Sequence, residues 1–478
     1  MSITRIIIYS FFLFTIVGCI DDENFSLSPS HHLTYSADTI SFDTLFSNVP
    51  SATKSFWIFN KTKDNLRVSS VTLSNGSLSG FRVNVNGVYL GSSNNYSTKD
   101  IEILKGDSIR IYAEVTPSLQ NKVNPTLVDD SIIVKLENGN QHKIILNCYA
   151  WDAFVWRNKH ISRDSIVQTN KPIVVYGGLT IDSAATVTLA AGTSIYFHQD
   201  AALNVYGTLL SKGSSSQWVV LRGDRTDRMF PYLPYDRIAG QWQGVHFYPS
   251  SKANKMQYTD VHSAFTGILM DSTQIASTPN LEMQQCTVHN SQGIGCDFNY
   301  NYVILQNSQI TNSQDFCLSL NHGKYDVNQC TIAQFYPFEG RKSTALGLLL
   351  PNKEDSLNCR NSIVTSYDVE AITLYKDDSL KINRFTFSNS YLRQDTSKLA
   401  DAWRYVQCIS EMRSDTGMVY TKMFKKIDTD SLQYNFKIVK GARIIDQASV
   451  KSALPIDHDG RQRDDKPDMG AYEYIKEQ

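Results

Sequence analysis

Cys286-Thr287-Val288-His289-Asn290-Ser291-Gln292 and Ser308-Gln309-Ile310-Thr311-Asn312-Ser313-Gln314 are two copies of one pattern set 22 residues apart. A second shift of the same size brings Cys330-Thr331-Ile332 into the frame. The flanks agree: Met283, Leu305 and Val327 form one column, and Ile294-Cys296-Phe298 alternates as Phe316-Leu318-Leu320 does. A fixed period with β-type alternation inside each unit is the mark of stacked repeats. Each unit is then one coil of a solenoid, with like residues ~4.8 Å apart through inter-strand hydrogen bonds. Val288 is expected to lie directly over Ile310.

Weaker copies extend the pattern both ways. Leu179-Thr180-Ile181, Val187-Thr188-Leu189, Ile195-Tyr196-Phe197 and Leu203-Asn204-Val205 read as opening coils, with glycines at the corners. Asn361-Ser362-Ile363-Val364 and Asn389-Ser390-Tyr391-Leu392 are looser echoes. At about 25 residues per coil, residues 168–400 make roughly nine rungs. This segment resembles the right-handed parallel β-helix superfamily, whose members include pectate-lyase-like enzymes and many non-enzymatic surface proteins. Arg222-Gly223-Asp224-Arg225 with Gly240-Gln241-Trp242 is similar to a segment of Bacteroidetes β-helix lipoproteins. Asp457-His458-Asp459-Gly460 with Gly470-Ala471-Tyr472-Glu473 is similar to a terminal motif of such proteins. These resemblances imply a fold and a location, and transfer no catalytic residue.

Residues 37–150 carry short alternating runs between turns: Ser55-Phe56-Trp57-Ile58-Phe59, Leu66-Arg67-Val68, Val71-Thr72-Leu73, Phe81-Arg82-Val83-Asn84-Val85, then three more between Ile109 and Leu146. About seven strands in ~110 residues predict an immunoglobulin-like β-sandwich. The order resembles the Ig-like modules that precede larger domains in bacterial envelope proteins. The fold class is therefore all-β: a sandwich, a connector at 151–167, the parallel β-helix at 168–400, and C-terminal coils and a cap at 401–478. The cap is expected to close the last sheet edge through Ala471-Tyr472-Glu473-Tyr474.

The chain opens with Arg5 and an apolar run, Ile6 to Val17, too short to span a bilayer but suited to a leader. Ile16-Val17-Gly18-Cys19 resembles the lipobox of bacterial lipoproteins. That resemblance implies a signal peptide at 1–18, lipidation of Cys19, a polar tether at 19–36 and a membrane as partner. Asp21-Asp22-Glu23 is similar to the signal that carries Bacteroidetes lipoproteins to the outer face of the outer membrane, the periplasmic face being the alternative. The formal charge is −1, which offers no basic footprint for nucleic acid. Cys286 and Cys330 share a column two coils apart, roughly 9.6 Å, beyond the ~7 Å reach of a disulfide. Cys296 is expected to face inward and Cys317 outward.

Candidate function lies in the breaks of the repeat. Met229-Phe230-Pro231-Tyr232-Leu233-Pro234-Tyr235 is an aromatic insertion, and solenoid insertions gather on binding faces. Phe230, Tyr232, Tyr235 and Trp242 are candidate contacts for a glycan; the bland alternative packs these rings on the coil below. Asp224, Arg225, Asp236 and Arg237 supply the residue types of uronate lyase chemistry, against a salt-bridged loop. Glu282 and Asp326 share a column two coils apart, which reads as coincidence rather than an inverting glycosidase pair. His289 reads as a surface residue. Asp457, Asp459, Asp465 and Asp468 suggest an oxygen-rich calcium loop but lack EF-hand spacing, so the working expectation is no cofactor. The reading that results is a lipid-anchored envelope protein whose β-helix binds or scaffolds, toward polysaccharide or another envelope protein. The alternative is a polysaccharide lyase or glycoside hydrolase on the β-helix flank.

Overall fold

The computed structural model describes residues 24–273, 277–338, 344–368, 370–375, 384–395, 402–412, 414–415 and 419–476. Cys19 and the leader lie outside the described residues. Among the described residues the regular elements are strands and short 3-10 turns, so the chain is all-β. It divides into two compact units, Met1–Trp151 and Asp152–Gln478.

The first unit is a sandwich of two five-stranded sheets. One sheet has the order Thr34–Tyr35, Lys54–Phe59, Ser108–Val115, Phe81–Val85, Val88–Leu90; the other has Thr39–Phe46, Gln141–Trp151, Thr126–Leu136, Leu66–Leu73, Ser97–Ile103. Alternation sets the faces. Ile109, Ile111, Ala113 and Val115 are buried while Arg110 and Tyr112 between them are exposed. Ile58, Val68, Ile111, Val134 and Ile144 meet in one core drawn from both sheets. The two runs at 66–68 and 71–73 are one strand, because Ser69 and Ser70 continue the ladder across a bulge. Strand 97–103 carries too few apolar residues to announce itself, while strand 39–46, with Ile40, Phe42, Leu45 and Phe46, was passed over. The tether assignment to residue 36 is corrected: Thr34–Tyr35 pairs with Ile58 and Phe59, and Phe25 bridges Asn65.

In the second unit each coil contributes strands to three parallel stacks. The first stack includes Thr259–His262, Thr287–Ser291, Gln309–Ser313, Thr331–Gln334 and Ile363–Ser366. The second includes Gly244–Phe247, Ile268–Met270 and the opening residues of Cys296–Gln306 and Leu318–Asn328. The closing residues of those two long strands join Leu281–Gln284 and Ser356–Arg360 in the third. Val288 pairs with Ile310, and Ile310 with Ile332, all fully buried. Tyr258, Gln285, Asn307, Gln329, Asn361, Asn389 and Gln407 mark one corner in successive coils with φ between 42° and 53°. Asn suits that left-handed bend because its short amide bonds to nearby backbone. At Gly244 any Cβ would overlap the Thr266 carbonyl oxygen, so the coils approach more closely than a side chain allows.

Three boundaries move. The segment at 151–167 is no connector but a first coil, since Phe154–Ile161 and Ser165–Val167 pair in parallel with the next strands. The parallel ladder runs past residue 400, to Ile409–Ser410. The end cap is also corrected. Phe424–Asp428 and Gln433–Ile438 form an antiparallel hairpin, and Phe424, Phe436 and Ile438 pack with Ala333, Ile363 and Tyr391. Those three coil residues face outward from the first stack, so an apolar flank needed cover there. From 442 to 474 the chain is a strap laid along that flank. Gly470 N–H donates to Asn361 O, Ala471 N–H to Thr331 Oγ1 and Tyr472 Oη–H to Gln309 Oε1. Cys317 is fully buried rather than outward, because the alternation restarts at the corner before Leu318. The seven described cysteines are all free thiols, six of them buried.

Candidate functional site

Outward positions of the first stack carry the chemistry. Inward, Leu221, Val261, Val288 and Ile310 are buried and nearly interchangeable. Outward, successive strands present Arg222, then Asp260 and His262, then Thr287 and His289, then Gln309 and Thr311. The parallel register sets Asp260 beside Thr287 and His262 beside His289. The two imidazoles stack with centroids 4.7 Å apart. Asp260 Oδ1 lies 3.1 Å from His262 Nδ1 and 3.3 Å from His289 Nε2. On the other edge of the His262 ring, Nε2 is 3.1 Å from Asp236 Oδ1, and Arg222 pairs with the same oxygen.

This is a closed electrostatic chain. Burial works against charge on His262, yet Asp260 and Asp236 together hold its pKa up at about 9. Burial would raise both carboxyls; His262 and its neighbouring cations instead keep Asp236 and Asp260 well below the usual range. His262 is buried, whereas the His289 side chain is 27% exposed. Among the described residues, Asp260, His262 and His289 form the group able to hold a metal ion, their donor atoms within 4.8 Å of one another.

Beside this cluster lies a cleft of about 530 Å³. Its floor is the first stack, through Thr287, His289, Gln309 and Thr311; its walls are Asp236 and Arg237 of the insertion, Gln433, Tyr434 and Asn435 of the hairpin, and Tyr472 of the strap. The wall cations are already paired or bonded. Lys437 meets Asp459 at 2.6 Å, Lys426 meets Asp428 at 3.4 Å, and Arg237 donates to Ser431 O.

The sequence candidates disperse. Asp224 is 2.8 Å from His198 and does not line the cleft. Arg225 makes two 2.7 Å bonds to Asp227 and lies over the Tyr235 ring. Asp236 and Arg237 alone of that set reach the cleft. Phe230 and Tyr232 are exposed and stacked on each other, ring centroids 5.7 Å apart. Trp242 is a correction: it is fully buried, stacked on Phe197 at 4.3 Å, with Nε1–H donating to His262 O, so no ligand reaches it. Glu282 pairs with Lys255 and Asp326 with Arg360, leaving no carboxylate dyad between them.

The C-terminal acids other than Asp465 are engaged by protein donors, Asp459 by Lys437 and Arg461. Asp457 accepts the N–H groups of Asp459, Arg461 and Glu473; Asp468 accepts those of Asp446 and Tyr474; Asp465 is exposed. They build the strap. Burial raises the Asp468 carboxyl to about 7.

Sequence reasoning missed Asp260 and His262 and misjudged His289, which is half-buried in the cluster rather than a plain surface residue. The signal existed. Thr259–His262 stacks on Thr287–Ser291 with an offset of 27 residues rather than 22, so this coil escaped the repeat frame. The cleft walls from 433–437 and 472 fold back from far along the chain, and nothing local announces that.

Residues 236–392 match the family model for a right-handed beta helix region. No curated protein matches the chain. Among solved structures, a family 123 glycoside hydrolase from Clostridium perfringens, described for glycolipid glycan hydrolysis, is 11% identical; 25% of this chain covers 26% of that one at a TM-score of 0.18. The seventh PapD-like domain of human CEP192 is 11% identical over 26% of this chain and 89% of its own, TM-score 0.18. The CooA pilin subunit of enterotoxigenic Escherichia coli is 15% identical over 26% and 97%, TM-score 0.15. Scores so low carry no argument about activity.

Proposed function

We propose that this is a lipid-anchored envelope protein whose β-helix binds polysaccharide in the cleft between the first stack, the insertion and the C-terminal hairpin. The observation that carries this reading is the lining: planar amides, hydroxyls and two tyrosines around a groove of about 530 Å³, a size usual for ligand sites. Amides and hydroxyls match the donors and acceptors of sugar rings, and the half-buried Tyr434 adds ring surface. Ion pairing within the walls leaves little net charge to select ligands, which favours neutral or weakly acidic glycans. The anchor rests on Arg5, the apolar run after it and Cys19. Mature protein screened against neutral and uronate glycans, with binding and turnover read separately, tests the proposal. Gln433→Ala with Tyr434→Ser lowers affinity about tenfold or more; affinity unchanged in both variants removes the cleft as the site. Loss of labelled-lipid incorporation in Cys19→Ala checks the anchor.

An enzymatic reading, lyase or glycoside hydrolase, draws on one observation: Asp236 and His289 line the same cleft, with Asp260 positioned to orient His289. Turnover that disappears in His289→Gln while binding persists would establish it.

A further inference from the structure

We propose that Asp260, His262 and His289 form a site for a divalent transition-metal ion of the zinc type, with its open side toward the cleft. The argument starts from the far edge of the His262 ring. Nε2 faces Asp236 at 3.1 Å and must donate its proton there, because a carboxylate only accepts. With that proton in place Nδ1, 3.1 Å from Asp260 Oδ1, either holds the second proton of the imidazolium or offers its lone pair to a metal ion. His289 Nε2 points at that same oxygen from 3.3 Å. Two ring nitrogens and one carboxylate oxygen thus converge, all within 4.8 Å of one another. Protons answer this pair by pair; one metal ion answers all three together.

The distances suit the ion. Metal–nitrogen and metal–oxygen bonds of ~2.0 Å in a tetrahedron place neighbouring donors ~3.3 Å apart; two of the three separations here are 3.1 and 3.3 Å, and the third, between the two ring nitrogens, lies within 4.8 Å. Two imidazoles and one carboxylate select zinc, iron(II), cobalt or nickel over the all-oxygen preference of calcium and magnesium. Asp236 supplies the outer carboxylate that metal-bound histidines recurrently use to fix tautomer and ring orientation, and Arg222 holds Asp236 in place. Three protein ligands leave a fourth position, the arrangement of a site that binds a further molecule rather than a closed structural one. His289 and Thr287 line the cleft, so that position faces it. The site stands without the polysaccharide reading, since it is measured with no glycan present.

The test titrates chelator-treated protein with Co²⁺ as the spectroscopic probe and Zn²⁺ as competitor. One equivalent of Co²⁺ is expected to give the visible bands of a four-coordinate nitrogen–oxygen site, displaced by Zn²⁺, with a rise in Tm on binding. His289→Gln and Asp260→Asn are chosen because both side chains are partly exposed and their loss leaves the coil core intact. Each is expected to weaken binding by about 100-fold, and Asp236→Asn by about 10–100-fold. His246→Gln, on the second stack, is expected to bind as the parent does. No stoichiometric binding by the parent protein, or binding that survives both His289→Gln and Asp260→Asn, overturns the proposal and leaves a proton-bridged charge network.

Discussion

Two stretches of the first stack share one backbone and differ in what they show to the outside. From Arg222 to His289 the outward residues are, Thr287 apart, charged or imidazole, tied into one chain of carboxylates and rings. From Thr311 through Ala333 to Ile363 and Tyr391 they are hydroxyl or apolar, and the hairpin packs onto them. Inside, Val261, Val288, Ile310, Ile332 and Val364 follow each other with hardly a change. A parallel stack constrains its inward column by volume and leaves its outward column free. The candidate site therefore lies on the outward column, at coils that the hairpin walls rather than packs onto.

The sharpest way to break this contrast is to damage the core beneath the charged stretch. Trp242 fills the core under the cluster and stacks on Phe197. Trp242→Ala is expected to cost about 3–5 kcal/mol by denaturant unfolding, with glycan affinity of the still-folded fraction unchanged. A weak effect on stability with a large loss of glycan affinity would return Trp242 to the binding surface.

The covered stretch depends on the strap. Asn361 combines a left-handed backbone, φ 49°, with bonds from Ser449 N–H and to Ser452 Oγ. Asn361→Ala strains the bend and strips both bonds, a loss of about 2 kcal/mol. Limited proteolysis is expected to cut after residue 440 in this variant first; a cleavage pattern identical to the parent's would show that the strap is held elsewhere.

What the sequence disclosed follows the same division. Inward columns repeat because neighbouring coils impose the same volume on them, so Val288, Ile310 and Ile332 were legible as a stack without coordinates. The strands at 154–161 and 165–167 were not, because Trp156, Arg157 and Lys159 interrupt the alternation in a terminal coil with one neighbour only. Asp236 and Arg237 were legible as chemistry-bearing types within an insertion. Their partners were not: His262 meets Asp236 across the insertion, His289 joins through register between coils 27 residues apart, and Lys437 and Tyr472 arrive by long-range return of the chain. The strap was read as an end cap because an exposed solenoid end also needs cover; the apolar outward face at Ala333, Ile363 and Tyr391 draws it to the flank instead.

The strap also carries a pH signature. Asp468 is buried and its carboxyl is raised to about 7, against 3.8 when unfolded. The folded chain then keeps a proton that the unfolded chain releases, so this contribution is complete below about pH 4 and fades as pH rises through 7. Between pH 6 and 8 the loss is roughly 1.4 kcal/mol. Urea midpoints across that range, compared with Asp468→Asn, measure it: the variant's curve is expected to be flatter. An equal slope in both proteins would place the titration on another group.

The smallest effect tests how far the open stretch extends. Tyr232 is 58% exposed and its ring lies parallel to Phe230, so neither is committed to the core. Tyr232→Ser is expected to shift stability by less than about 0.5 kcal/mol. The same insertion contributes Asp236 and Arg237 to the cleft, so a glycan long enough to leave the cleft past them meets the stacked pair next. Long chains are then expected to bind about threefold more weakly to the variant, short oligosaccharides equally well, since one aromatic contact is worth about 0.5–1.5 kcal/mol. Equal losses at every length would put Tyr232 inside the primary site, and no loss at any length would end the binding surface at Arg237.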